Sequence, residues 1–244
     1  MRLLAVNSFI ICVMLLLLAS SSLAYESSKL DHFAEAIQLA EKFNDSGMSM
    51  AEQQKYPAAM HYFNEAISKD PSCATYYFNL ANANWDLAQN EAPLIARNYF
   101  LSALKSYNEA IVRAPKFPEA WYNKANVLGK IAQYSEAESS YLRALRQKSN
   151  YIEARINLSM LYLKMGNCNK AHETISRVEL TDGSPAQMIE LKDKVNFAIE
   201  KEEEVRSQHY SALSKVSPPT CAGVLVTYSN FVSAPQAGYL RKVR

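Results

Sequence analysis

The stretch PEAWYNKANVLGKIAQYSEAESSYLRAL, residues 118–145, decides the fold because it holds two helical patterns joined by a short break. Ala125 lies in the first pattern and Ala137 in the second, and such small residues let two antiparallel helices approach closely. Trp121 and Tyr141 supply the aromatic rings that fill the space between successive helix pairs. The stretch therefore predicts a helical hairpin.

The same pattern recurs along the chain at fixed offsets. Four positions repeat after 44 residues, as Ala59, Phe63, Ala66 and Pro71 correspond to Ala103, Tyr107, Ala110 and Pro115. Three of these positions recur 34 residues later, at Ala137, Tyr141 and Ala144. The prolines end the second helix of a pair, since a residue before proline disfavours helical geometry. One pair cannot bury its apolar stripe alone, so the pairs are expected to stack.

These residues make the chain resemble the tetratricopeptide repeat (TPR) family, and residues 118–145 are close to its consensus. The resemblance implies an all-α fold, a right-handed α-solenoid of antiparallel helix pairs that forms a TPR superhelix. Four repeats can be aligned, at 40–73, 74–117, 118–151 and 152–183. The second contains about ten extra residues within 85–100, which we interpret as longer helices with a turn near Asn90 to Pro93. The fourth is degenerate, as terminal repeats often are.

The first 24 residues have the pattern of a secretory signal peptide. Arg2 precedes an apolar run from Phe9 to Leu18, and small residues flank Leu23 at the expected cleavage site after Ala24. An uncleaved membrane anchor is the alternative, but a spanning helix needs about 20 consecutive apolar residues. The pattern predicts an exported protein, secreted or periplasmic, or in the lumen of the endoplasmic reticulum of a eukaryote, with no membrane span after cleavage.

The remaining segments flank the repeats. Residues 25–39 are predicted to form a helix that leads into the first repeat. Residues 184–213 are predicted to form a C-terminal capping helix with one apolar stripe, made of Met188, Leu191, Val195, Ala198 and Ile199. Residues 214–244 contain three prolines and no helical period, which favours a flexible tail. The alternative is an interaction segment that lies in the groove of this same protein.

Composition and motifs argue against several classes of function. Lys and Arg number 26, and loss of Arg2 leaves 25 against 24 acidic residues, so the charge predicts no nucleic-acid partner. The four histidines are far apart, and no catalytic or phosphate-binding motif occurs, so we expect no enzyme activity, metal or cofactor. Of the mature cysteines, a Cys168–Cys221 bridge is possible, but three unrelated cysteines are favoured over it.

Asparagine recurs in register on the first helix of successive pairs. Asn79, Asn123 and Asn157 are separated by the repeat offsets of 44 and 34, and Asp45 occupies the corresponding position of the first repeat. Asn82 and Asn126 follow three residues later and share the same helix face. The resemblance implies that these helices line the concave side of the solenoid.

These six side chains are the predicted peptide-binding residues, because an asparagine amide offers a donor and an acceptor to the backbone of an extended peptide. The alternative is that the asparagines only link neighbouring repeats. The favoured function is a non-enzymatic adaptor that binds an extended segment of a partner protein, for example in an envelope or secretion complex. The alternative function is a structural module that self-associates through its convex face, its insert or its tail.

Overall fold

The computed structural model describes residues 29–178, 186–212 and 238–240, and every element in these ranges is a helix. The predicted signal peptide and most of the predicted tail lie outside the described residues. The helices of the described part, in chain order, are α1 (29–52), α2 (Tyr56–Lys69), α3 (Ala74–Gln89), α4 (Pro93–Arg113), α5 (Pro118–Lys130), α6 (Tyr134–Gln147), α7 (Ile152–Lys164), α8 (Cys168–Ser176) and α9 (Ala186–Ala212).

Helices that follow one another in the chain pack against each other in pairs, and the pairs stack. Small residues lie at the contacts, since Ala81, Ala103, Ala125 and Ala137 are all fully buried. Gly47 on α1 takes this role in the first pair, because a Cβ atom there would lie 2.6 Å from Cε1 of Phe63 on α2. The predicted all-α solenoid of antiparallel helix pairs is confirmed.

Turns of one kind join the two helices within three of the pairs. Gln54, Ala132 and Gly166 have positive φ angles of 60°, 63° and 74° and occupy equivalent positions by the repeat offsets. Glycine adopts this conformation at little cost, whereas other residues do so less readily. The turn of the repeat thus imposes a positive φ angle even on Gln54 and Ala132, which disfavour it.

The ten extra residues of the second repeat lengthen both of its helices. Helix α3 has 16 residues, against 13 in its counterpart α5 of the next repeat. Helix α4 has 21 residues, against 14 in its counterpart α6. Helix α3 ends at Gln89 and α4 begins at Pro93, a residue that suits the first turn of a helix. The turn therefore lies where the sequence indicates it.

The two ends of the solenoid are covered by helices. The predicted boundary between the leading helix (25–39) and the first repeat (from residue 40) is not a helix end. Helix α1 runs without a break over 29–52 and contains no proline. At the other end α9 packs against α7 and α8. Val195, Ala198 and Ile199 of α9 are buried in one cluster with Leu161 and Ile175. None of the described helices is long and apolar enough to cross a membrane.

Two cysteines are described, and they differ. Cys73 is a free thiol at the start of α3, whereas Cys168 at the start of α8 is disulfide-bonded. The prediction of three unrelated cysteines is therefore wrong for Cys168, and its partner lies outside the described residues. Spacing in the sequence could not reveal this pairing, because it depends on which segments the fold brings together.

Candidate functional site

The Asn79 side chain on α3 forms two hydrogen bonds with the main chain of Leu240, a residue 161 positions away. Its Nδ2 donates to the Leu240 carbonyl oxygen at 2.7 Å, and the Leu240 N–H donates to Oδ1 at 2.9 Å. Nδ2 also donates to Oδ1 of Asn44 on α1 at 2.8 Å, which fixes the orientation of the amide. Since both contacts to Leu240 involve only its backbone, this pairing is independent of the side chain that is bound.

Tyr239 occupies a subsite next to Asn79. Its hydroxyl donates to Oδ2 of Asp86 at 2.7 Å, and its ring stacks on Phe63 with centroids 5.7 Å apart and planes 14° apart. Asp86 lies two helical turns after Asn79, so both residues are on the same face of α3. Ala83 lies between them and belongs to the apolar cluster on which Tyr239 packs. We call the surface formed by Phe63, Asn79, Ala83 and Asp86 the α3 site.

The environment of the α3 site keeps its tyrosine neutral. Burial, together with the nearby Asp86 carboxylate, raises the pKa of Tyr239 well above its ordinary value. Burial also raises the pKa of Asp86, and the hydrogen bond from Tyr239 opposes this rise. The pair therefore consists of a neutral tyrosine donor and a partly desolvated carboxyl acceptor. When Asp86 is ionised, this hydrogen bond is stronger than one between two neutral groups.

Leu240 packs on the other side of α3. It contacts the apolar cluster that includes Phe78, Val127 and Trp121, whereas Tyr239 packs on the cluster that contains Phe63 and Ala83. Successive side chains of an extended backbone diverge in this way. Tyr239 and Leu240 thus place their side chains on two different apolar clusters.

Asn123 on α5 and Asn157 on α7 have the same amide orientation as Asn79, but the hydrogen bonding of their side-chain carbonyl oxygens differs. Each Nδ2 donates toward the preceding repeat, from Asn123 to Asn82 at 3.0 Å and from Asn157 to Asn126 at 2.9 Å. Among the described residues, Oδ1 of Asn123 and Oδ1 of Asn157 are buried and have no hydrogen-bond partner. A buried acceptor without a partner costs about 1–3 kcal/mol, so both atoms are unusual.

Asn82 and Asn126 hold the amides of the next repeat in place. Oδ1 of Asn82 accepts from the Tyr107 hydroxyl and from Asn123, and Oδ1 of Asn126 accepts from the Tyr141 hydroxyl and from Asn157. Both lone pairs of each oxygen are then in use. For these two residues the contacts agree with the alternative that asparagines link neighbouring repeats.

The first repeat contributes Asn44 rather than Asp45 to this row. Asp45 is exposed on α1, whereas Asn44 is buried and bonds to Asn79. By the repeat offset, the position equivalent to Asn82 is Met48, which offers no amide. Asn44 lies one helical turn before Met48 and supplies the acceptor in its place. The fixed offset used on the sequence could not detect this local exchange.

The α3 site contains residues that the sequence analysis missed. Asp86 could have been found by its spacing of seven from Asn79, but a single carboxylate on a helix is a weak signal. The equivalent residues on α5 and α7 are Lys130 and Lys164. Burial lowers the pKa of both lysines, and for Lys164, where the charge of Lys130 contributes as well, the pKa falls to about 8. The position that holds the carboxylate of Asp86 on α3 therefore holds a lysine on both α5 and α7.

Comparisons with known proteins agree with the repeat pattern. Two family models described as tetratricopeptide repeats match residues 44–92 and 106–139. A TPR protein of Thermus thermophilus has 18% identity and a TM-score of 0.56, covering 72% of this chain and 96% of that chain. A MamA protein has 19% identity and a TM-score of 0.51, covering 74% of this chain and 99% of that chain.

A comparison with curated proteins gave no match. At such low identity the two solved structures show the fold alone. The repeat models add what the fold cannot, since they match the side-chain pattern within two separate parts of the solenoid. The chain therefore contains tetratricopeptide repeats, within residues 44–92 and 106–139.

Proposed function

We propose that this protein is an exported, non-enzymatic adaptor that holds an extended segment of a partner protein along its concave side, for example in an envelope or secretion complex. The TPR fold is that of a protein-interaction module. The observation that carries the proposal is the pairing of the Asn79 amide with both backbone groups of Leu240. An amide that binds backbone atoms can hold segments of many sequences.

The third and fourth repeats support the same function. Asn123 and Asn157 have amides fixed by the preceding repeat, and each leaves a buried carbonyl oxygen without a partner among the described residues. The equivalent oxygen of Asn79 accepts an N–H from Leu240. A segment that continues across α5 and α7 would supply the missing donors, which removes the cost of two unsatisfied acceptors.

Export is supported by two independent features. The first 24 residues have the pattern of a signal peptide, and Cys168 is disulfide-bonded. Disulfides persist in oxidising compartments and are rare in the cytosol. Fractionation of the host cell, with the mature N-terminus determined by sequencing, tests this part: recovery of an uncleaved chain in the cytosol would contradict it.

Capture of a partner tests the groove. The mature protein is used as bait in the exported fraction, beside a variant in which Asn79, Asn123 and Asn157 are changed to alanine. We expect the variant to lose the partner while remaining folded by circular dichroism. The matched control changes three exposed asparagines, Asn64, Asn98 and Asn108, and should retain the partner. Equal recovery with both variants would contradict the proposed function.

Self-association is the second candidate function, and one observation favours it. Helix α4 exposes large apolar side chains, with Leu94 80% and Val112 75% exposed. Light scattering on the mature protein gives its mass. A dimer that Leu94→Lys converts to a monomer would favour this function, whereas a monomeric wild-type protein would exclude it.

A further inference from the structure

The α3 site is shaped for one type of side chain. Phe63 forms a flat wall, the small Ala83 leaves room for a ring beside α3, and Asp86 lies where the ring ends. Tyr239 uses all three features, since it stacks on Phe63 and donates its hydroxyl to Asp86. The neighbouring Asn79 binds the backbone of the residue that follows.

We propose that the α3 site is a selective subsite for a tyrosine followed by an aliphatic residue in an extended peptide, that residues 238–240 are its built-in ligand, and that a partner with the same motif has to displace them. This inference rests on the proposed function and specifies the ligand that it leaves open. The ligand class is a peptide rather than a small molecule, because Asn79 pairs with both main-chain groups of one residue.

Neither α5 nor α7 has an equivalent of this subsite. At the position of Ala83, α5 has Val127 and α7 has Leu161, both buried, and these larger side chains fill the space that the ring would need. At the position of Asp86 the same helices have Lys130 and Lys164, which cannot accept a hydrogen bond while charged. Helices α5 and α7 therefore lack both the space for a ring and the acceptor for its hydroxyl at these positions.

Phe63 completes the subsite because it lacks a hydroxyl. Its equivalents Tyr107 and Tyr141 use their hydroxyls to bond Asn82 and Asn126 inside the solenoid. In the first repeat Met48 stands where those asparagines would be, and the carbonyl oxygen of the nearby Asn44 already accepts from Asn79. A phenylalanine satisfies this position and offers its face to the ligand ring, a contact that stabilises stacked aromatic pairs.

Asp86 gives the subsite its preference for tyrosine over phenylalanine. A phenylalanine in the same place would leave a partly desolvated carboxylate without its donor. Sites built to bond a substrate hydroxyl discriminate strongly against the analogue that lacks it, because the buried group is left unpaired. Since Asp86 keeps some access to water, we expect about a tenfold preference rather than the extreme values of fully enclosed sites.

Residues 238–240 compete with any partner from within the same chain. A tethered segment acts at an effective concentration on the order of 1 mM. A free peptide that binds an empty site with a Kd of about 10 μM would then bind the occupied protein about 100-fold more weakly, since only the unoccupied fraction is competent. The built-in ligand therefore lowers the apparent affinity for every partner. Only partners with a better motif or a high local concentration would displace it.

Fluorescence anisotropy with a labelled, amidated peptide of sequence APQAGYL (residues 234–240) tests the proposal. The proteins are the mature wild type and a variant with Tyr239→Ala and Leu240→Ala, which weakens the built-in ligand by removing the tyrosine ring, its hydroxyl and the leucine side chain. A variant with Leu225→Ala and Tyr228→Ala, in the same tail, is the matched control. We expect the first variant to bind the peptide at least tenfold more tightly than the wild type and the control do.

A second peptide, with phenylalanine in place of tyrosine, tests the selectivity. It should bind the Tyr239→Ala/Leu240→Ala variant about tenfold more weakly than the tyrosine peptide, and adding Asp86→Ala should reduce this difference to less than threefold. Equal affinity of the two peptides while Asp86 is present, with both lost on Asn79→Ala, would overturn the tyrosine subsite and leave the groove function standing. Absence of binding by either peptide would overturn the built-in ligand, and partner capture then decides the proposed function separately.

Discussion

The groove at α3 and the groove at α5 and α7 contain the same asparagine in the same orientation, yet only one of them is filled in the described part of the chain. Asn79 bonds to the backbone of Leu240, whereas the buried carbonyl oxygens of Asn123 and Asn157 have no partner among the residues that the structure describes. Because the preceding repeat orients all three amides, contacts within the solenoid fix these amides independently of any ligand. On the proposed function, the difference separates residues that link the repeats from residues that would bind a ligand.

The two regions also differ in the side chains around the amide. The α3 site has room for a ring and a carboxylate, while the equivalent positions of α5 and α7 hold larger apolar residues and a lysine. A ligand that spans both regions would thus be selected for a tyrosine at the end that lies on α3. Along the rest of its length the described asparagines would recognise mainly its backbone.

The largest expected effect comes from breaking the link between repeats. Asn126→Ala leaves the Tyr141 hydroxyl and one Asn157 donor buried without their acceptor. At about 1–3 kcal/mol for each unsatisfied group, we expect the free energy of unfolding in urea to fall by about 3–5 kcal/mol.

Asn123→Ala is the matched comparison for that variant. It removes one donor to Asn82 but also removes an acceptor that has no partner among the described residues. Its loss should therefore be about 1 kcal/mol. Equal destabilisation by Asn123→Ala and Asn126→Ala would contradict the division between residues that link the repeats and residues that would bind a ligand.

A smaller effect should follow when the α3 site is given the residue of its counterpart. Ala83→Leu places in α3 the side-chain type found at Leu161 of α7, so the ring of Tyr239 loses its space. We expect binding of the tyrosine peptide to the Tyr239→Ala/Leu240→Ala protein to weaken more than tenfold, or about 1.4 kcal/mol. Val127→Ala on α5 opens the equivalent space beside a lysine, and should create no second binding site in an anisotropy titration.

The smallest effect concerns the lysines in place of Asp86. Burial, reinforced by the charge of Lys130, lowers the pKa of Lys164 to about 8. A lysine in the unfolded chain titrates at about 10.4, so between these values the unfolded state binds more protons and stability rises with pH.

The side chain of Lys164 is only half-buried, so the rise is modest. We expect about 1 kcal/mol more unfolding free energy at pH 9.5 than at pH 7, relative to a Lys164→Met variant measured in parallel. A difference between the two proteins that is constant over this range would show that Lys164 titrates normally.

The scaffold could be predicted from the sequence because its signals are local and repeated. The alanines and aromatics at offsets of 44 and 34 indicate helix pairs, and the asparagines in register indicate a common face. Which end of each amide would point inward could not be predicted, since that depends on contacts between repeats. The fixed offset likewise selects Asp45 where α1 uses Asn44.

The α3 site is largely hidden from the sequence for a different reason. Leu240 contacts Asn79 across 161 positions, and no periodic pattern links the two segments. The composition of the tail favours flexibility, with a segment in its own groove as the alternative. For Tyr239 and Leu240 of that tail, the contacts with α3 agree with the alternative. Long-range contacts of an irregular segment leave no signal in local composition.

The central claim is that an asparagine carbonyl accepts a backbone N–H from an extended ligand. It is tested most directly by methylating the leucine nitrogen of the peptide APQAGYL, which removes only that donor. Titrated against the Tyr239→Ala/Leu240→Ala protein, the methylated peptide should bind at least tenfold more weakly than the parent, and the difference should disappear when Asn79→Ala is added. Equal binding of the two peptides to the protein that retains Asn79 would contradict the account.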